Sequence, residues 1–277
     1  MNTRGGGRRA GRSFRPLAAS RIPAANAYFS RMRSFEFCLP TKGTSVPDCP
    51  DWLHEIKYDG YRLRLERDGD RVRLITRGGY NWSSRYPWIV EAARKVRQKQ
   101  FVLDGEAVVL GVDGISDFNA LHSRKHDYEV QFCAFDILAE GGDDFRMLPL
   151  SMRKASLEHL LARRPEGVFV NPFERGELGP DLFRAACNMG LERLASKRRD
   201  RPYQAGRCKY WVKVKSRSHP GARAVSRAAG PLCTNAGPQR PIGPLRLGAE
   251  AGPSAINQIR LLRSTIRGRR TAATPSN

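Results

Sequence analysis

Residues 54–62 read HEIKYDGYR, a stretch in which charged side chains recur around one glycine. If this stretch is a strand, its period of two places Lys57 and Asp59 on the same side. Gly60 has no side chain, so the backbone can bend there or come close to a ligand. Arg62 offers a planar fork of donors that suits phosphate or ribose oxygens. The alternative for this stretch alone is an amphipathic strand whose charges are solvated.

The stretch runs directly into a predicted hairpin. Residues 62–66 and 71–75 alternate polar with apolar side chains, and an Asp-Gly pair lies between them. Asp-Gly between two alternating runs is a strong hairpin signal. We therefore predict that the strand carrying Lys57 feeds straight into an antiparallel hairpin, which helps to fix the register of Arg62.

The rest of the middle of the chain alternates between strand and helix patterns. Further strands are predicted at 101–110, 130–138, 191–198 and 211–215, and helices near 87–96 and at 117–123, 149–163 and 181–189. Carboxylates interrupt two of these strands, at Asp104, Glu106 and Asp136. An acidic side chain inside an apolar strand costs stability unless it is paired or has a function. These carboxylates are therefore candidates for a binding site.

The net charge of +22 is concentrated at the two ends of the 277-residue chain. Residues 1–34 carry eight arginines and no acid, and residues 216–277 carry ten arginines and one acid. We predict a disordered Arg-rich arm over 1–34, a folded domain over 35–215, and a low-complexity, mostly disordered tail over 216–277, with a short helix at 256–266. Arg-rich ends suit a polyanion such as nucleic acid, although solvated tails are the alternative.

The cysteines and the hydropathy indicate a cytoplasmic protein. None of the six cysteines forms a C-x-x-C pair, so free thiols in a reducing compartment are expected. The sequence contains no run of about 18 apolar residues, so no membrane span is predicted. The basic N-terminus lacks the apolar segment of a signal peptide. We expect a bacterial cytoplasm or nucleoid location.

The predicted strands carry an unusual number of charged side chains. They are Lys57, Asp59, Arg62, Asp104, Glu106, Asp136, Glu192, Lys197, Lys213 and Lys215. Interior charges persist only when they are paired with one another, with a metal or with a charged ligand. Cations that neutralise phosphate, together with carboxylates that hold Mg²⁺ or ribose hydroxyls, suit a nucleotide bound with a divalent ion.

These segments resemble the motifs of one enzyme family. Residues 57–62 match the K-x-D-G-x-R motif of ATP-dependent DNA ligases and related nucleotidyltransferases. Four further segments follow in the family's order, at 103–106, 132–136, 192–197 and 211–215. The resemblance covers residues 35–215 and is strongest to the bacterial ligase D type used in end joining. It implies a mixed α/β adenylation (nucleotidyltransferase) domain with antiparallel sheets around an ATP groove.

The resemblance implies a three-step reaction. Lys57 attacks the α-phosphate of ATP and becomes lysyl-AMP, AMP passes to a DNA 5′-phosphate, and a 3′-hydroxyl then displaces it. A lysine amine is nucleophilic only when neutral, so its pKa must fall. Lys213 and Lys215 would supply cations that favour this and that stabilise charge on the α-phosphate. The implied partner is nicked or broken double-stranded DNA.

The resemblance also assigns roles to individual residues. It places ATP contacts at Glu55, Ile56, Arg62, Glu106, Phe135, Lys197, Lys213 and Lys215, an Mg²⁺ (or Mn²⁺) ion at Asp59, Glu106 and Glu192, and DNA contact at Arg77. By the same likeness Glu55 would contact the adenine amino group, Phe135 would stack on the base, and Arg62 and Glu106 would address the ribose. For Phe135 the alternative is plain core packing.

Two departures from the family bear on activity. Arg193 stands where the family has a glycine, beside the proposed metal position. The resemblance ends at Lys215, where the family continues into an oligonucleotide-binding (OB) barrel that residues 216–277 cannot build. We therefore expect no C-terminal OB barrel, and a truncated, impaired ligase unless a barrel polypeptide or an end-joining protein completes it in trans. A frameshift near Ser216 is one hypothesis for the tail.

Two other functions stay open at this point. An RNA ligase or a capping guanylyltransferase shares the first motif, and nucleotide choice would distinguish these from a DNA ligase. The residues flanking the motif, at 54–55 and 82–86, favour the DNA ligase. The third possibility is a catalytically weak or dead nucleic-acid-binding remnant, which would bind nicked DNA without forming a protein–AMP adduct.

Overall fold

The computed structural model describes residues 36–163, 166–191 and 193–216. The strands are β1 Cys38–Lys42, β2 Trp52–Ile56, β3 Tyr61–Asp68, β4 Arg71–Thr76, β5 Gln100–Val108, β6 Gln131–Glu140, β7 Asp143–Asp144, β8 Val168–Val170, β9 Phe173–Arg175, β10 Arg193–Arg198 and β11 Gly206–Lys215. The helices are α1 Pro87–Lys95, α2 Phe118–Ser123, α3 Leu150–Leu160 and α4 Gly179–Asn188, with a 3-10 turn at Gly176–Leu178. The predicted arm, the predicted helix at 256–266 and Glu192 lie outside the described residues.

The strands form two sheets, here called sheet A and sheet B. Sheet A has the order β1-β11-β10-β2-β9, and sheet B has the order β4-β3-β5-β6-β7 with β8 beside β6. Neighbours are antiparallel except for the β1–β11 and β6–β8 pairs, which are parallel. The predicted mixed α/β fold with antiparallel sheets is therefore confirmed. The helices and strands expected within the described residues are present with shifted ends, apart from the strand expected to carry Lys57.

The hairpin is present, but the strand that was expected to carry Lys57 is not. β3 and β4 pair as predicted, with Gly69 in the left-handed region at φ +61° in their turn. β2, however, ends at Ile56 in sheet A, and residues 57–60 cross to β3 in sheet B. A Cβ on Gly60 would lie 2.2 Å from the carbonyl oxygen of Ala107, so only glycine allows this close crossing. The period-two argument for Lys57 and Asp59 was therefore wrong.

The main hydrophobic core lies on one face of sheet B. Alternate residues of β3 and β4 enter it, and α1 and α3 cover it, with members that include Leu63, Leu65, Leu74, Ile89, Phe101 and Leu157. Each fully buried side chain of this kind stabilises the fold by roughly 1.5–3 kcal/mol. α4 packs against β2 and β10 of sheet A, with Leu182 and Ala186 buried. This packing fixes the positions of the two sheets and of residues 57–60, which connect them.

A buried ion pair explains one of the interrupted strands. Arg153 of α3 donates from Nε to Asp136 Oδ1 at 2.8 Å and from Nη2 to Oδ2 at 3.0 Å, and neither side chain is exposed. Asp136 is therefore satisfied by the protein itself. On the same helix, Met152 is 53% exposed and lies on the outer face. The face that does point inward carries Leu150, Arg153, Lys154 and Leu157.

The thiol state differs in part from the prediction. Cys38, Cys133, Cys187 and Cys208 are free thiols, as expected. Cys49, by contrast, is disulfide-bonded, so the expectation that all six are free is not met. Among the residues that the structure describes, no helix is long and apolar enough to cross a membrane.

Candidate active site

A groove of about 1040 Å³ lies between the two sheets and receives residues from both. Its cationic lining residues are Lys42, Lys57, Arg62, Arg77, Arg193, Lys197, Arg207 and Lys213, and its acidic ones are Glu55 and Glu106. This excess of positive charge attracts an anion, and a concave, half-enclosed shape suits a small ligand rather than a flat partner surface.

Lys57 lies in the loop that joins the two sheets. Its backbone N–H donates to the carbonyl oxygen of Arg193 at 3.0 Å, so the loop is held to the start of β10. Its Nζ lines the groove and donates to the carbonyl oxygen of Tyr58 at 3.2 Å. Although it is not on a strand, Lys57 is therefore fixed at the position where the two sheets meet.

Other cations surround Lys57, as the sequence predicted. Burial lowers the pKa of Lys213, and the nearby charges of Lys57 and Lys42 lower it further. Lys213 lies opposite Lys42 in the β1–β11 register and lines the groove. Lys215 pairs with Arg193 at the end of β11 and, among the described residues, is not part of the groove lining. The predicted lysine pair is thus split between the groove and its margin.

Glu55 sits at the inner wall of the groove between two buried lysines. Its Oε2 accepts from Lys197 Nζ at 2.7 Å and from Asn171 Nδ2 at 3.2 Å, and its Oε1 lies 2.6 Å from Lys154 Nζ. Burial alone would raise the pKa of Glu55, but the charges of Lys154 and Lys197 outweigh burial and lower it. Glu55 is therefore an ionised carboxylate that lines the groove, and it can only accept hydrogen bonds.

Arg62 and Asp104 form a fixed pair behind the groove. Arg62 Nε and Nη2 donate to the two oxygens of Asp104 at 3.0 and 2.6 Å, and Nη1 donates to the carbonyl oxygen of Cys38 at 2.6 Å. The hydroxyl of Tyr203 donates to Asp104 Oδ2 at 2.7 Å. Much of the hydrogen-bonding capacity of Arg62 is thus used within the protein, and Asp104 serves to hold Arg62. The ribose contact of Arg62 stays a prediction.

Glu106 lies opposite Arg62 in the β3–β5 register and lines the groove. Burial raises its pKa, while the charges of Lys57 and Arg62 oppose that rise. Glu106 therefore holds a proton more readily than an exposed carboxyl group does. Its assignment to the ribose or to a metal ion stays a prediction.

Phe135 takes part in an aromatic cluster at the groove wall. Lys197 Nζ lies 4.3 Å from the centroid of its ring and 4.2 Å from that of Trp211. The rings of Phe135 and Trp211 meet edge to face at 6.2 Å. Phe135 is half-buried and lines the groove, and its stacking on a base stays a prediction.

Two of the three proposed metal ligands, Asp59 and Glu106, lie within the described residues, whereas Glu192 does not. Asp59 Oδ1 accepts from Arg193 Nη1 at 2.8 Å, so the residue that replaces the family's glycine neutralises Asp59. Within the described residues, no three His, Cys, Asp or Glu side chains are grouped to hold a metal ion. The assignment of a metal ion to Asp59, Glu106 and Glu192 therefore stays a prediction.

The sequence analysis did not identify Lys154 and Asn171, which contact the carboxylate of Glu55. Asn171 follows β8 in a segment that was not assigned to any strand. Lys154 was assigned to a helix, and a signal for its burial did exist. Residues 150, 153, 154 and 157 follow the helical spacing i, i+3, i+4, i+7, and this stripe places Lys154 on the same face as Leu150 and Leu157.

Comparison with known proteins identifies the family. The sequence profile of the ATP-dependent DNA ligase domain matches residues 39–215. That range contains both sheets and every groove residue described above. The chain therefore belongs to the ATP-dependent DNA ligase family, through its adenylation domain.

The relatives are of the end-joining type. The chain is 34% identical over 185 residues to the multifunctional non-homologous end joining protein LigD of Pseudomonas aeruginosa, and 37% identical over 179 residues to that of Mycobacterium bovis. These matches cover 65% and 64% of this chain but only 22% and 23% of the relatives. The chain thus spans under a quarter of the length of these curated relatives.

Solved structures agree with this assignment. A mycobacterial DNA ligase D complexed with ATP and MES is 35% identical, with a TM-score of 0.58 over 65% of this chain and 60% of that one. The ligase domain from M. tuberculosis LigD is also 35% identical, with a TM-score of 0.57 over 65% and 59% of the two chains. The mixed α/β fold with antiparallel sheets therefore matches that of LigD ligase domains.

Proposed function

We propose that this chain binds ATP in the groove between sheets A and B and transfers AMP to Lys57. The observation that carries the proposal is the position of Lys57 among other cations at the junction of the sheets. Burial and the nearby charges of Lys57 and Lys42 lower the pKa of Lys213, and Arg77 lines the same groove. Several converging cations neutralise a triphosphate and stabilise the negative charge that develops on its α-phosphate.

The chemical step balances as a displacement at phosphorus. The lone pair of Lys57 Nζ forms the N–P bond to the α-phosphate, the bond from that phosphorus to the bridging oxygen breaks, and pyrophosphate leaves with the electron pair. Glu106, with its raised pKa, can take the proton that Nζ loses, directly or through water. Lys213 stabilises the negative charge that develops on the phosphate.

The groove walls fix the nucleoside part of ATP. Glu55 accepts a hydrogen bond from the adenine amino group, Phe135 stacks on the base, and Arg62 with Glu106 meets the ribose. Such positioning of reacting groups accounts for a large share of enzymatic rate enhancement. Mg²⁺ (or Mn²⁺) enters bound to the triphosphate, as part of the substrate.

The acceptor of AMP is a 5′-phosphate in nicked or broken double-stranded DNA. Arg77 lines the groove directly after β4, and it supplies a cation to that phosphate. The relatives are named as end-joining proteins. Action in DNA repair, in the cytoplasm and together with end-joining partners, follows from that kinship as part of this proposal.

The test is incubation of the purified chain with α-labelled ATP and Mg²⁺, followed by denaturing electrophoresis. We expect label on the wild-type chain and none on Lys57→Arg, which keeps the charge but stays protonated. Lys95→Arg, a change at an exposed lysine of α1, is the matched control and should be labelled like the wild type. Label on Lys57→Arg would show that another residue is the nucleophile.

One observation favours a second candidate function. The Arg193–Asp59 ion pair occupies a carboxylate that lies only two residues beyond Lys57, which suits a ligase remnant that binds nicked DNA but reacts slowly or not at all. Binding of nicked DNA by a chain that takes up no label from ATP would favour this candidate. Labelling by GTP in preference to ATP would instead point to a capping-type nucleotidyltransferase.

A further inference from the structure

Lys154 is a buried cation that the proposed reaction does not use. It lies on α3 with no exposed surface, and its Nζ is 2.6 Å from Glu55 Oε1 and 4.7 Å from the ring centroid of Phe173. Within the described part of the chain it is not among the groove-lining residues, whereas Glu55 and Lys197 are. Lys154 therefore lies behind Glu55 and meets a ligand in the groove only through that carboxylate.

Neutralisation of Glu55 alone does not account for Lys154. Lys197 Nζ, at 2.7 Å from Oε2, already supplies one positive charge for one negative charge. A second buried cation adds a desolvation cost of several kcal/mol in real proteins, and burial does lower the pKa of Lys197. A fold that needed only stability would place an apolar side chain at this position on α3.

The contacts of Glu55 show what the second lysine achieves. Oε2 is occupied by Lys197 and Asn171, while Lys154 draws Oε1 toward the opposite side, so the plane of the carboxylate is set from both ends. Within the described residues, Oε1 accepts no hydrogen bond with acceptable geometry, despite its closeness to Lys154. Glu55 thus lines the groove as a charged carboxylate whose orientation is fixed from both sides.

We propose that Lys154 is a positioning residue for base recognition, which holds Glu55 so that it accepts a hydrogen bond from the exocyclic 6-amino group of the purine in the groove. This inference rests on the proposed function. The ligand class is a 6-aminopurine nucleoside triphosphate, in preference to purine nucleotides that carry no donor at that position. A hydrogen bond to a charged, pre-oriented acceptor contributes about tenfold to a hundredfold in affinity.

The test compares ATP with purine riboside 5′-triphosphate, which lacks only the 6-amino group. Calorimetric dissociation constants are measured for both nucleotides on the wild-type chain and on Lys154→Met. We expect the wild type to prefer ATP by about tenfold to a hundredfold. We expect Lys154→Met to reduce that ratio several-fold by weakening ATP while leaving the analogue nearly unchanged. Lys154→Arg, which keeps the cation, should restore part of the ratio.

The variants distinguish a role of Lys154 in positioning Glu55 from a role in stabilising the fold. Lys154→Met leaves the balanced Lys197–Glu55 pair in place, so the variant should fold, and thermal unfolding verifies this. If it does not fold, Lys154→Gln, which keeps a donor of similar length, serves for the same ratio. Arg153→Lys is the matched control, because it alters a neighbouring buried ion pair on α3 whose partner is Asp136 and should leave the ratio unchanged.

The outcomes are distinguishable. A wild-type chain that prefers ATP, combined with a Lys154→Met chain that keeps the full ratio, overturns the role of Lys154 and leaves the proposed function standing. A wild-type chain that binds both nucleotides equally also overturns it. A wild-type chain that binds neither nucleotide refutes the proposed function itself, and this inference with it.

Discussion

Replacing Glu55 by Gln should destabilise the fold through the lysines on either side of it. The substitution keeps the shape of the side chain but removes the negative charge that both Lys154 and Lys197 contact at 2.6 and 2.7 Å. Both lysines are buried, so neither can regain water without a local rearrangement. Breaking a buried ion pair by removing one partner costs about 3–5 kcal/mol.

This cost corresponds to a large shift of the melting temperature. A domain of 150–250 residues loses about 2–4 °C for each kcal/mol, so Glu55→Gln should lower Tm by about 6–20 °C. Differential scanning calorimetry at neutral pH measures the shift. Glu91→Gln removes a half-exposed carboxylate paired with Arg94 on α1, and it should cost less than about 1 kcal/mol.

The double variant Glu55→Gln with Lys154→Met sharpens the reasoning. It removes one of the two cations that the single variant leaves without a carboxylate, so it should recover part of the lost stability. A Glu55→Gln chain that melts within about 2 °C of the wild type would refute the argument, because the two lysines would then not depend on Glu55.

Three further outcomes follow from the same geometry. The stability that Glu55 contributes should be fully present above its ordinary pKa and lost as pH falls through its lowered pKa. The Tm difference between the wild type and Glu55→Gln should therefore shrink below about pH 4. A Tm difference that stays constant with pH would contradict the lowered pKa. Lys213→Met should slow labelling by ATP about a hundredfold or more. Lys215→Met should slow it less because, of these two lysines, only Lys213 lines the groove. Equal labelling rates for the two variants would contradict the different roles of the two lysines. Deleting residues 1–34 and 217–277 should flatten the salt dependence of DNA binding, since 18 arginines would be lost, and an unchanged slope would show that these ends do not contact phosphate.

Local sequence patterns predicted most of the helices and strands, but not the side-chain contacts between distant segments. The Asp-Gly turn located the β3–β4 hairpin because a tight turn leaves a signature within a few residues. Asp136 looked like a site residue because its partner, Arg153, lies 17 positions away on a helix. Pairings between distant segments leave no local trace, so sequence reasoning could not separate a structural carboxylate from a functional one.

The position of Lys57 is a second case in which a local pattern did not predict the structure. The alternation of charged and apolar residues continues through 57–60, although the chain there leaves sheet A and enters sheet B. Gly60 was read as a point of close approach, and the structure places it against Ala107 of β5. The motif therefore predicted a lysine that lines the groove, while the conformation of its loop depended on packing between two sheets.

The most direct test of the account is to locate the AMP itself. The wild-type chain, incubated with ATP and Mg²⁺, is digested and its peptides are analysed by mass spectrometry. The account predicts AMP on the peptide that contains Lys57, with fragmentation assigning it to that side chain. AMP attached at Lys42, Lys197 or Lys213 instead would contradict the central claim that the junction between the sheets carries the nucleophile.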